Sequence, residues 1–64
     1  MLEVGALLEY EGPNENFAGL TWEVMAKSHR SWGLFCQLRG AGEGFTQYVF
    51  WADVSEPGWA VVEP

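Results

Sequence analysis

Sixty-four residues carry nine acids against three bases, a net charge of −6, and 16% of the chain is aromatic. A chain this short forms one domain and buries only about 60% of its unfolded surface, so its core is small. The charge balance lacks the Lys/Arg footprint that supplies most affinity for a phosphate backbone, which argues against nucleic acid as a partner. The uninterrupted apolar runs are too short to span a bilayer.

Residues 1–5 read as a short lead-in. Ala6-Leu7-Leu8-Glu9-Tyr10 reads as a first strand. Residues 11–16, Glu-Gly-Pro-Asn-Glu-Asn, are dense in turn formers. Phe17 follows as an isolated aromatic in a polar loop, expected to fold back and cap one end of the core. Residues 20–38 form the central hairpin. Trp22, Val24 and Ala26 alternate with Thr21, Glu23, Met25 and Lys27. After a polar turn at Ser28-His29-Arg30-Ser31, Trp32, Leu34, Cys36 and Leu38 alternate with Gly33, Phe35, Gln37 and Arg39. Strand side chains point to opposite faces in turn, so each run lays an apolar row on a shared core.

Arg39-Gly40-Ala41-Gly42-Glu43-Gly44 reads as a hairpin loop that tolerates positive φ. Residues 45–51 form a fourth strand, in which Thr46, Tyr48 and Phe50 alternate with Gln47, Val49 and Trp51. Ala52-Asp53-Val54-Ser55 reads as one helical or 3-10 turn. Glu56-Pro57-Gly58 is a turn, and residues 59–62 form a final short strand. Five short strands separated by turn signals predict an all-β barrel with Val24, Leu34, Cys36 and Val49 buried. No apolar 3.6-residue period is sustained, so helices are not expected.

Ala6-Leu7-Leu8-Glu9-Tyr10 resembles the Ala-Leu-Tyr-Asp-Tyr start of signalling SH3 domains. Length, strand order and the short turn before the last strand are similar to the SH3-like barrel. The resemblance implies a five-stranded SH3-like barrel with a short 3-10 turn before the last strand, spanning residues 1–64. The loop at residues 11–20 is shorter than its SH3 counterpart, and Trp51-Ala52-Asp53-Val54 stands where those domains carry Pro-Ser-Asn-Tyr. The compact form is more similar to small barrels of bacterial, phage and mobile-element proteins. Thr46-Gln47-Tyr48-Val49 also resembles the Val-Gln-Ile-Tyr segment of plasmid-borne dihydrofolate reductases, which use this barrel as a tetramer.

The candidate site is aromatic. Tyr10, Trp32, Tyr48, Trp51 and Trp59 exceed what so small a core can hold, and Trp and Tyr dominate binding hot spots. They point to a non-enzymatic module that binds a protein partner or a second copy of itself. Lys27, His29 and Arg30 cluster near the hairpin turn and are candidates for an anion contact. Cys36 alternates with two leucines and is expected to be inert. One Cys and one His do not make a four-ligand metal set, and no cofactor is expected. A chain with one cysteine and no leader-like start fits a reducing, cytoplasmic setting. Two rival readings remain. Glu9, Glu11, Glu15, Glu43, Glu56 and Glu63 fit an acidic inhibitor that mimics DNA, and Gln47 with Tyr48 fits a small-molecule-binding pore in an oligomer.

Overall fold

A computed structural model describes residues 2–42, 44 and 46–62. The strands are β1 (Leu7–Tyr10), β2 (Thr21–Arg30), β3 (Gly33–Ala41), β4 (Gln47–Asp53) and β5 (Trp59–Val61). They make one antiparallel sheet in the order β4-β3-β2-β1-β5. Among the described residues no pairing joins β4 to β5, so the sheet is open between its two end strands. The described residues contain no helix, and hence none long and apolar enough to cross a membrane.

The central hairpin forms where alternation places it, but its turn is tighter than the sequence suggests. Ser28, His29 and Arg30 continue β2, and only Ser31 and Trp32 lie between the last pair, Arg30 and Gly33. Trp32 therefore occupies the turn and is 59% exposed, outside the inward row expected for it. A Cβ at Gly33 would collide with Ser55 Oγ, which suits glycine to this pairing position.

A bulge at Met25 also alters the inward row. Val24 faces Leu38, yet Ala26 faces Gln37 and Lys27 faces Cys36. Beyond such an insertion the alternation changes phase. Lys27 thus takes the place in the row that the sequence gives to Ala26. Its ammonium donates to Leu2 O at 2.8 Å and lies 3.7 Å from Glu3 Oε2. This ties the lead-in across the sheet.

The core consists of Leu8, Trp22, Val24, Cys36, Leu38 and Ala52. Val24 and Cys36 are buried as expected, whereas Leu34 is half-buried at the core's edge. Val49 is 54% exposed, contrary to expectation. Both faces of the fourth strand read as apolar, so alternation could not choose between them. Pairing of Ala52 with buried Cys36 puts Tyr48, Phe50 and Ala52 on the core's face of the sheet and Val49 and Trp51 on the other. That pairing also corrects the reading of residues 52–55 as a 3-10 turn. Ala52 and Asp53 complete β4, and the turn begins at Val54. Phe45, expected to open the fourth strand, lies outside the described residues, as do Glu43 and Glu63.

Trp22 organises the interior. Its indole Nε1 donates to Phe17 O at 2.9 Å, and its ring lies over the backbone of Gly40. A Cβ at Gly40 would stand 2.8 Å from ring carbons of Trp22, so the absence of a side chain there makes room for the indole.

Candidate functional site: an aromatic groove beside the open edge

The loop between β1 and β2 folds back towards the end of β4. Asn14 N donates to Tyr10 Oη at 3.0 Å, and Asn16 N donates to Asn14 Oδ1 at 3.0 Å. These bonds satisfy loop backbone that strands leave unpaired. Phe17 caps the core as expected, meeting Tyr10, Trp22, Phe50 and Trp59 with ring centroids 5.2–5.7 Å apart. Tyr10 and Trp59, on paired strands, stand 4.7 Å apart.

On the outer face, Trp51 stacks on Phe35 with centroids 5.3 Å apart and planes 15° from parallel. Trp32 meets the edge of Phe35 at 5.6 Å. Phe35 and Trp51 lie on the opposite face of β3 and β4 from Cys36 and Ala52, and none of the three rings belongs to the core cluster. Trp51 is 47% exposed.

An open groove of about 200 Å³ joins the two aromatic groups. Tyr10, Phe17 and Trp59 line it together with Phe35 and Trp51. Its charged lining residues are Asp53 and Glu56, both acidic. Asp53 is fixed by the turn after β4, where its Oδ1 accepts from Ser55 N at 2.9 Å and from Ser55 Oγ. Val54 N donates to Leu34 O at 3.0 Å and Glu56 N to Asp53 O at 3.4 Å, so the turn backbone is held against the sheet end.

Three of the five aromatics singled out from sequence, Tyr10, Trp51 and Trp59, thus line one groove. Trp32 extends the aromatic row from Phe35. Tyr48 lies elsewhere, beside Phe50 and Gly42 in a separate concavity. Phe17, Phe35, Asp53 and Glu56 were not singled out. Phe35 had a readable signal, because it alternates in step with polar Gln37 and Arg39 and so faces outward. Nothing local revealed that the loop brings Phe17 to Trp59.

The basic candidates do not form one site. Lys27 is engaged by the lead-in, while His29 and Arg30 are exposed at the end of β2. Arg39 pairs with Glu23 at 2.6 Å across β2 and β3. Cys36 is fully buried, and burial raises its thiol pKa above the ordinary 9.0, with Lys27 opposing the shift. Among the described residues, no three His, Cys, Asp or Glu side chains gather as a metal site would require. No family model, curated protein or solved structure matches the chain.

Proposed function

We propose that this chain is a non-enzymatic protein-interaction module that seats a short segment of a partner protein in the aromatic groove. The observation that carries this reading is the stacked pair Phe35–Trp51, which sits outside the core and borders the groove. Exposed large rings give rigid contact area at small entropic cost, and contiguous apolar surface on a small acidic chain marks an interaction site. Asp53 and Glu56 disfavour an acidic segment and suit a basic or neutral one. We further read the fold as an SH3-like barrel left open between β4 and β5. The strand order and the aromatic loop folded beside β4 support that reading.

The test is selection of binding peptides from a random displayed library, followed by affinity measurements on single variants. Trp51→Ala is expected to weaken selected peptides by about 2 kcal/mol, roughly thirtyfold. Aromatic burial is not screened, so added salt changes affinity little. An acidic mimic behaves in the opposite way: affinity falls steeply with salt, and charge reversal at Glu11 and Glu15, exposed and outside the groove, abolishes binding. That outcome, with Trp51→Ala binding normally, would replace the groove by the acidic surface as the working site.

A further inference from the structure

The open edge of β4 is a second feature, which shares Trp51 with the groove. The register of β3 on β4 is uniform from Phe35–Asp53 to Ala41–Gln47. Just beyond its ends, Gly42 N donates to Thr46 O at 2.8 Å and Val54 N to Leu34 O at 3.0 Å. Hydrogen-bonded and non-bonded pairs alternate along an antiparallel ladder. Tyr48, Phe50 and Ala52 therefore bond to β3, and Gln47, Val49, Trp51 and Asp53 turn their N–H and C=O groups to the open side. Among the described residues, no hydrogen bond from beyond the strand reaches the backbone groups of Gln47, Val49 or Trp51, while Asp53 O accepts from Glu56 N at 3.4 Å.

The side chains make this edge adhesive on both faces. Tyr48, Val49, Phe50 and Trp51 are four consecutive exposed large hydrophobics, between 37% and 54% accessible. Residues 47–52, Gln-Tyr-Val-Phe-Trp-Ala, contain no charge and no proline. Natural edge strands are normally short or guarded by lysine, proline or a bulge. The other edge, β5, obeys that rule with only three residues. The β4 edge has none of these guards.

We propose that β4 pairs with β4 of a second copy of this chain, antiparallel about a two-fold axis through Val49. The argument for self-pairing is electrostatic and geometric. A chain of net charge −6 presents here six successive uncharged residues, 47–52, where another copy brings no like charge. Outward-pointing groups must meet outward-pointing groups, which restricts the register. Full pairing centred on Phe50 or Trp51 brings in Asp53, which lines the groove with Asn14 and Phe17, and a register centred on Tyr48 sets Trp51 against position 45, beyond β4. The register centred on Val49 stays within Gln47–Trp51. It sets Val49 against the partner's Val49, Trp51 against the partner's Gln47, and Tyr48 against the partner's Phe50. Aromatic and β-branched cross-strand pairs of this kind stabilise antiparallel ladders. On the inner side, an open concavity of about 460 Å³ between Tyr48, Phe50 and the loop residues Asn16, Ala18 and Leu20 leaves room for the incoming rings. Trp51 is shared, its backbone in the paired stretch and its ring on the groove, while Ala52 and Asp53 fall outside the paired stretch.

Sedimentation of the intact protein over a concentration series tests the proposal. The mass is expected to rise from 7.2 kDa toward twice that value. Added salt strengthens the dimer, because it screens repulsion between two acidic chains. Val49→Lys places like charges opposite each other and yields a folded monomer at every concentration. Val49→Cys gives a disulfide-linked dimer on mild oxidation, since Cys36 is buried and does not compete. A chain that stays monomeric and does not cross-link through position 49 overturns the proposal, and so does a dimer that survives Val49→Lys. The groove reading fails separately: Trp59→Ala lowers peptide affinity and leaves the dimer intact, while Val49→Lys dissociates the dimer and leaves peptide affinity intact.

Discussion

Trp22 and Trp51 are the same residue type on strands of one sheet, and the fold uses them in opposite ways. Trp22 is fully buried, its indole N–H is bonded to Phe17 O, and Gly40 makes room for its ring. Trp51 is nearly half exposed and stacks on Phe35 outside the core. Face, rather than residue type, decides which of these two rings enters the core and which stays exposed at the groove. The loop residue Phe17 connects the core and the groove, because it packs on Trp22 and also lines the groove.

The largest effect expected is Trp22→Ala, which removes the centre of the core and costs about 3–5 kcal/mol of stability. A domain of this size is stable by roughly 3–10 kcal/mol, so the variant melts far below the parent or does not fold. Urea titration followed by far-ultraviolet dichroism reads this directly. Gly40→Ala follows, because its methyl must displace the Trp22 ring, and overpacking costs about 1–3 kcal/mol. A Gly40→Ala protein as stable as the parent would show that Trp22 is not fixed by that approach.

Cys36→Ser is expected to cost about 1–3 kcal/mol, since a buried hydroxyl needs a partner that a thiol does not. The thiol also sets an alkaline limit. Its folded pKa is raised above 9.0 by burial, so its contribution is complete below 9.0 and is lost as pH rises beyond it. Chemical denaturation at a series of alkaline pH values should show stability falling in the parent, and falling less in Cys36→Ser. The smallest effect on folding is that of Trp51→Ala. It removes an exposed stacked pair and lowers stability by about 1 kcal/mol or less. A loss as large as that of Trp22→Ala would erase the distinction between the two tryptophans.

The five strands and the buried Val24 and Cys36 were legible because short-range alternation reports which face is apolar. Val49 was not, because Tyr48, Val49, Phe50 and Trp51 are apolar on both faces and only the Ala52–Cys36 pairing decides between them. Lys27 was misplaced because a bulge shifts the phase of β2 without any glycine or proline to announce it. The groove was half legible. Tyr10, Trp51 and Trp59 stood out as aromatics beyond the capacity of a small core. Their meeting depends on the fold of the loop after β1 and on the turn at Asp53–Glu56, which are long-range arrangements.

The four tryptophan indole N–H resonances offer the most direct test of recognition through the groove, one signal for each of Trp22, Trp32, Trp51 and Trp59. Titration of the labelled protein with a library-selected peptide is expected to move the Trp51 and Trp59 signals most, since both rings line the groove. A peptide that binds while both of those signals stay in place would contradict the assignment of the groove as the binding site.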